Sequence, residues 1–343
     1  MSAPRDPAAD LRRIAFLLEV AREPSYRVRA FRGVAAMLGG LPPGELSSRA
    51  AVGALRELAG IGEVLERTIL ESLAGEEPVY LRRLEATGGR PVAEAGAEIL
   101  AALRGDCHVH SDWSDGGSPI REMAEVARDF GLEYIVLTDH SPRLTVANGL
   151  SADRLREQLE VVAGLNAELA PFRILTGIEV DIEEDGGLDQ EGELLSRLDV
   201  VVGSVHSQLR MSERPMTERI VTALANPHLD ILGHMTGRIV TGKRGRPPST
   251  FDAEIVFAAA LRFDKAIEIN SRPERLDPPK RLLRLAVEAG CRVAIDSDAH
   301  APGQLAWQPY GCDRAAACGV PISSIVNAAS TDRLLGWTAG HAR

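Results

Sequence analysis

Five times between residues 106 and 300 a short apolar run ends in histidine, and this repetition constrains the fold more than any other feature of the chain. The first run, Asp106-Cys107-His108-Val109-His110, carries two imidazoles. YIVLTDH then leads to His140, VVVGSVH to His206, DILGH to His234 and VAIDSDAH to His300. Strand-like runs that each finish on histidine place the rings on one rim of a parallel sheet or barrel, where α/β barrels assemble their active sites. Neutral imidazoles gathered with carboxylates make a transition-metal site. The pattern therefore predicts a metalloenzyme.

A chain of 343 residues accommodates one domain of barrel size and a smaller one. Its 45% hydrophobic and 26% charged content is that of a globular protein. A formal charge of −10 argues against a general nucleic-acid coat protein, although a basic groove can lie on an acidic body. Cys107, Cys291, Cys312 and Cys318 have no metal-ribbon spacing and read as free thiols of a reducing compartment. The first residues, MSAPRDPAADLRR, lack an apolar signal core, and no stretch approaches the roughly 20 apolar residues of a membrane span. A cytoplasmic protein that does not enter a membrane is expected.

Residues 1–83 read as all helix, including LRELAGIGEVLERTILESL, a helix, a Gly-Ile-Gly turn and a second helix. Residues 84–104 read as a linker with a short helix. From residue 105 to 343 strands alternate with helices, with strand signals at 106–110, 134–138, 173–181, 199–205, 229–233, 266–270 and 292–297. Alternation of this kind implies parallel strands with helical crossovers. Ligand residues at the end of nearly every strand favour a closed barrel, because only a ring brings all strand ends together.

Nine residues are candidate metal ligands: His108, His110, Asp115, His140, Glu179, His206, His234, Asp298 and His300. His108 and His110 are two apart, so on a strand they face the same way, and Asp298 and His300 repeat the arrangement. Glu179 stands where a carboxylate can bridge two ions. Nine ligands exceed what one ion uses, so two or three divalent ions are expected, and mixed N/O donors suit Mn²⁺, Zn²⁺ or Fe²⁺. Such a centre hydrolyses phosphate esters through hydroxide held between ions. Asp139 reads as a partner of the ligands rather than a ligand. His228 and His341 read as surface residues and Asp296 as structural.

The motifs HVHSDWSDG, LTDHS, GIEVDI, GSVHS, ILGHMTGR, EINSRPERLD and SDAH resemble the PHP (polymerase and histidinol phosphatase) family. The chain is similar to the C-terminal PHP domain of bacterial family X DNA polymerases, and residues 1–83 resemble the helical helix–hairpin–helix domain of those polymerases, with no room between for a polymerase palm. The resemblance implies a distorted seven-stranded (β/α) barrel, a trinuclear centre on the nine positions above, and Mn²⁺-dependent 3′–5′ exonuclease activity, with 3′-end or abasic-site processing in some members.

Amides at Gly60 and Gly62 of the hairpin can meet a DNA phosphate, but Glu63 follows them, and a purely structural turn is the alternative. Residues 1–242 contain no lysine, which excludes a Schiff-base lyase in the helical domain. Arg238, Lys243, Arg244 and Arg246 follow His234 with no acid before Asp252, and Arg275 with Arg272 extends this basic stretch. It reads as a groove for backbone phosphates, with a solvated surface run as the alternative. Arg238, His140 and His300 are the candidate catalytic residues, Arg238 stabilising charge on the phosphoryl oxygens. The expected function is a metal-dependent DNA nuclease acting on 3′ ends. Alternatives are a small-molecule phosphomonoesterase, of histidinol-phosphatase or nucleotidase type, and a non-catalytic repair scaffold.

Overall fold

The computed structural model describes residues 5–89, 91–241 and 245–341. They separate into two compact units, Met1–Arg90 and Pro91–Arg343.

The first unit is helical. Helix α1 (Pro7–Val20) starts where the Asp6 carboxylate accepts the Ala8 amide at 2.9 Å and proline takes the first helical position. Its buried face, Leu11, Ile14 and Leu18, packs with α2 (Ser25–Gly39), which buries Phe31 and Val34. Helices α3 (Glu45–Ala51), α4 (Glu63–Leu73) and α5 (Val79–Thr87) follow. The helix expected before the Gly-Ile-Gly turn is a single 3₁₀ turn, Leu55–Glu57. Gly53 and Gly60 take φ of +70° and +83°, and Leu58 is extended, so the backbone leaves the helical region on both sides. Helix α5 runs on to Thr87, into the segment expected to be linker.

The second unit opens with α6 (Ala97–Ala102) and then alternates strand and helix. Strand β1 (Gly105–Val109) is followed by α7 (Ile120–Asp129), β2 (Tyr134–Leu137) by α8 (Ala152–Leu169), and β3 (Arg173–Asp181) by the short α9 (Gly192–Leu195). Strand β4 (Val200–Ser204) leads to α10 (Glu213–Ala225), β5 (Ile231–Leu232) to α11 (Ala253–Arg262), and β6 (Ala266–Asn270) to α12 (Lys280–Glu288). After β7 (Arg292–Asp296) come α13 (Gln308–Ala317) and α14 (Thr331–Thr338), which the strand–helix alternation does not predict. All seven strands are parallel and stand in sequence order. Strand β5 is shorter than expected because side chain replaces main chain in its ladder, the Asp230 carboxylate accepting the Val201 amide at 2.8 Å.

The sheet nearly closes between β1 and β7, and two carboxyls help to bridge that seam. Asp296 Oδ1 accepts the Cys107 amide at 2.8 Å, and Asp106 accepts the Ser297 amide at 3.2 Å. Nearer the rim, main chain joins main chain, the His110 amide donating to the Ala299 carbonyl at 2.8 Å. Asp296, read from the sequence as structural, is thus part of the closure. Cys107, Val136, Leu175, Val202, Ile231, Ala266 and Ala294, one residue from each strand, share a single buried cluster. A second apolar layer packs between strands and helices, with Ile178, Val201 and Ile267 against Ile220 and Phe257. The apolar interior leaves the ligand-bearing residues at the C-terminal ends of the strands. No helix among the described residues is long and apolar enough to cross a membrane.

Candidate metal centre

Glu179, near the end of β3, is 1% exposed and stands at the centre of five imidazoles. Its Oε1 lies 2.9 Å from His234 Nε2 and 3.3 Å from His206 Nε2. Its Oε2 lies 2.9 Å from His140 Nδ1, 3.3 Å from His108 Nε2 and 3.6 Å from His110 Nε2. His110 Nε2 is also 3.6 Å from Asp298 Oδ1, while Asp115 Oδ1 is 3.5 Å from His140 Nε2 and 3.4 Å from His300 Nε2. The nine candidate ligands are therefore brought together at one rim.

Three groups of donor atoms lie within 4.8 Å of one another: His110, Asp115, His140 and His300; His108, His110 and Glu179; and His140, Glu179 and His206. Both oxygens of Glu179, both ring nitrogens of His110 and His206, and Nε2 of His108 are buried without a hydrogen bond of acceptable geometry. Buried polar atoms are normally paired, and orphans that converge on shared points from several strands fit divalent cations. The donor set, imidazole nitrogen with carboxylate oxygen, is that of transition metals.

The electrostatics of the cluster follow from its crowding. Burial disfavours the charge on Glu179, yet His108, His206 and His140 outweigh it and hold the carboxyl well below its usual range. Burial likewise lowers His108 and His206, but Glu179 reverses both, driving His108 well up with help from Glu268 and His206 to about 9 with help from Asp181. His110 has too little compensation. Burial and the neighbouring rings of His300 and His140 drive it well down, and burial with Arg272 takes His300 to about 4. Asp298 stays well below its usual range despite burial, because Arg272, His108 and Arg275 face it. Asp298 also has φ of +53°, a left-handed conformation uncommon for a non-glycine residue and of the kind held at functional sites.

A supporting layer was mostly invisible in the sequence. Glu268, in the middle of β6 and fully buried, faces His108 Nδ1 from Oε1 at 2.5 Å, and its Oε2 accepts the His234 amide and, at 3.2 Å, the Asn270 amide group. One carboxylate thus orients a ring on β1 and the main chain that carries another ring after β5. Asn270 also donates to Asp298 Oδ2 at 3.0 Å. Asp181 Oδ1 lies 3.5 Å from His206 Nδ1 and accepts the His206 amide at 3.2 Å. The only sequence signal was period two: Asp181 repeats Glu179, and Glu268 with Asn270 lies on one face of a strand. Asp139 supports the site otherwise than by touching a ring. Its carboxylate accepts from Ser111 at 2.6 Å, Ser114 at 2.5 Å and Gln158 at 2.7 Å, which anchors the loop that carries Asp115.

The arginines are placed differently from one another. Arg275 Nε is 3.2 Å from Asp298 Oδ2, and Arg272 Nη1 is 3.0 Å from the Asp298 carbonyl and 3.0 Å from His300 Nδ1, its guanidinium above the Trp307 ring. Arg238, expected at the phosphoryl oxygens, is turned to the chain instead, donating to the carbonyls of Arg275 (3.0 Å) and Leu276. Carbonyls left without strand partners in the 272–278 loop need donors, and Arg238 supplies them. Arg246 donates to the Gly237 carbonyl at 2.5 Å and pairs across a β-bridge with Ile239. Lys243 and Arg244 lie outside the described residues. In the helical unit, Gly60 has φ of +83° and Gly62 precedes the first turn of α4, where Glu63 and Glu66 place acid beside the helix N-terminus. His341, read as a surface residue, is held by Asp230 at 2.7 Å.

The PHP domain family model matches residues 106–272. The chain is 39% identical over 231 residues to the DNA polymerase/3′-5′ exonuclease PolX of Bacillus subtilis (strain 168), an alignment covering 67% of this chain and 40% of that protein. The chain thus spans about two fifths of that relative. It is 33% identical over 207 residues to a "probable phosphatase" of Thermoanaerobacter sp. (strain X514), covering 57% of this chain and 78% of that one. Among solved structures it is similar to histidinol phosphate phosphatase from Lactococcus lactis subsp. lactis, crystallised with zinc, L-histidinol and phosphate, at 19% identity and a TM-score of 0.44, covering 58% of this chain and 87% of that one.

Proposed function

The chain belongs to the PHP family and is a metal-dependent phosphoesterase, and from that premise we propose that it is a nuclease acting on DNA 3′ ends. One observation carries the reading: five imidazoles converge on a carboxylate whose two oxygens divide them, beside two arginines that already hold an anion. His108, His110, Glu179 and Asp298 would hold one ion, His206 and His234 with Glu179 a second, and Asp115, His140 and His300 a third. Divalent ions bound there, Mn²⁺, Zn²⁺ or Fe²⁺, supply positive charge and lower the pKa of water.

The protein's own groups account for binding and orientation. Arg275 and Arg272 lie on Asp298; once that carboxylate is a ligand, their N–H groups are free to grip phosphoryl oxygens. Arg238 takes a positioning role, holding the loop that presents Arg275. His140 and His300 act as ligands of the reacting centre, Asp115 lying between them. Lys243, Arg244 and Arg246 follow His234 in sequence and would meet phosphates beyond the scissile one, and the hairpin amides of Gly60 and Gly62 would add DNA affinity. Similarity to PolX supports DNA as the substrate.

The phosphomonoesterase reading is favoured by a different observation. The loop after β3 is acidic, and Glu183, Asp189 and Glu191 line an open pocket of about 670 Å³ with Arg143 and Pro142. Carboxylates there would repel a polyanion and suit a small substrate that carries an amine. The test sets Mn²⁺-supplemented protein against 3′-labelled DNA and a panel of phosphomonoesters. The nuclease reading expects the higher kcat/KM on DNA. Neutralising Lys243, Arg244 and Arg246 should also flatten the salt dependence of DNA binding by roughly 0.7–0.9 in log–log slope per lost contact. A higher kcat/KM on a phosphomonoester with an unchanged slope would transfer the assignment to the phosphatase.

A further inference from the structure

At the opposite end of the barrel, where strands begin, a second cavity of about 280 Å³ is lined by Arg262, Asp264, Lys265, Trp337 and His341 among others. Lys265 immediately precedes β6, and Asp230 immediately precedes β5. The candidate metal ligands lie in the C-terminal halves of the barrel strands or beyond them, and none of them lines this cavity, which is therefore separate from the phosphoesterase site.

Lys265 is 3% exposed, and among the described residues its ammonium makes no hydrogen bond and no ion pair within 4 Å. The acids around it have other partners. Asp230 faces His341 Nδ1 at 2.7 Å and accepts the Val201 amide at 2.8 Å. Asp264 takes the Arg292 guanidinium at 2.6 Å on one oxygen and the Trp337 indole N–H at 3.2 Å on the other. Burial accordingly lowers Lys265 to about 8, against the attraction of Asp230 and Asp264. A largely buried ammonium whose open side is a cavity, with no acceptor of the protein on it, gains from a counter-charge placed there. The residue choice points the same way. Of 39 basic residues only Lys243, Lys265 and Lys280 are lysine, so arginine fills nearly every position where a cation merely pairs at the surface. Lysine is the compact point charge that suits the end of a small anion. Arg262 is exposed at the mouth of the cavity and has no hydrogen bond or ion pair among the described residues, while Trp337 supplies an aromatic wall.

We propose that this cavity is a binding site for a small dianion, an organic phosphate or a dicarboxylate, with Lys265 on one charge and Arg262 on the other. Neither residue belongs to the metal centre, so ligand binding and hydrolysis of a small chromogenic phosphoester are separable by mutation.

The test uses the full chain with its lysines reductively ¹³C-methylated, which preserves their charge, and assigns the Lys265 methyl resonance with Lys265→Met. Inorganic phosphate and succinate are the two probes, with sodium chloride at matched ionic strength as the control. A saturable shift of the Lys265 signal is expected with at least one probe, together with a rise of about one unit in its pKa, because a bound anion favours the ammonium. Arg262→Gln should weaken that binding about tenfold. A response to phosphate alone identifies an organic phosphate, and a response to succinate alone a dicarboxylate. Thermal denaturation gives an independent readout: the active probe should raise the Tm of the unmodified protein more than that of Lys265→Met. A Lys265 signal that follows sodium chloride alone, or equal Tm gains in both proteins, overturns the proposal.

Discussion

Two buried carboxylates, one in each unit, show how differently a protein uses internal charge. Glu19 in the helical unit is 4% exposed and takes the Arg32 guanidinium in a fork, at 2.5 and 2.7 Å. Asp10 in the same unit accepts two bonds from Arg5 and one from Ser72. Glu179 in the barrel is equally buried, but imidazoles surround it and neither oxygen has a satisfactory hydrogen bond. A paired buried charge cements packing. A buried carboxylate ringed by five imidazoles has the donor set that divalent cations share.

The largest expected effect tests the second half of that contrast. Glu179→Ala should abolish metal binding at two of the three positions and lower hydrolysis on the order of 10³-fold or more, the loss of several kcal/mol of charge stabilisation. His110→Ala and Asp298→Ala should be similarly inactive, with circular dichroism unchanged because the barrel core lies below the rim. An active Asp298→Ala protein with a full metal complement would contradict the ligand set. Glu19→Ala is the mirror experiment. It leaves a half-buried Arg32 without its fork and should cost about 2 kcal/mol of stability in denaturant unfolding, while a small chromogenic phosphoester is hydrolysed at the normal rate.

Glu268→Gln sharpens the comparison, because Glu268 pairs with a histidine and a main-chain amide rather than with a cation. Glutamine offers one acceptor where two are used, so metal affinity, measured by chelator competition, should fall about 10- to 100-fold. Unchanged affinity would reduce Glu268 to a packing role.

Protonation gives a subtler test. In the metal-free protein His206 is raised from 6.5 to about 9, mainly by Glu179 acting against burial. The folded state therefore holds its proton more tightly than the unfolded chain, and this stabilisation is full below pH about 6.5 and lost as pH rises through about 9. A ligand nitrogen must be deprotonated, so metal binding at neutral pH should release protons and tighten as pH approaches 9. Calorimetry in buffers of different ionisation enthalpy counts those protons, and a pH-independent affinity would falsify the assignment of His206. The smallest effect is expected at the hairpin. Gly60→Ala forces alanine to φ of +83° and should cost about 1 kcal/mol, without touching hydrolysis of the small ester.

Much of the barrel was legible because its signals are local. Apolar runs of strand length, interrupted by helical periodicity, predicted all seven strands and that they are parallel, and histidine at the end of five runs predicted the rim. Where reading failed, non-local contacts or special backbone angles decided the outcome. The helix expected between Leu55 and the Gly-Ile-Gly turn is cut to one 3₁₀ turn, because Leu58 is extended and the flanking Gly53 and Gly60 take positive φ. Arg238 sits in a basic stretch that any linear reading assigns to phosphate, yet its guanidinium is claimed by carbonyls of residues 275 and 276, nearly forty positions away. Glu268 carried no motif of its own, and its role appears only when β6 is set beside β1 and β5.

What the sequence determined by itself was the inventory: which residues can bind metal, the strands that end on them, and the faces that alternation assigns to them. Those properties depend on side-chain chemistry and on a period of two, both local. Tertiary structure alone decided how the inventory is connected. It divided the imidazoles between the two oxygens of Glu179, put Arg272 and Arg275 rather than Arg238 on the anion at Asp298, and left Lys265 unpaired among acids that had found other partners. The physical reason is that a charged group's state depends on its distance from every other charge and on the water it has lost, and neither quantity is defined until the chain has closed on itself.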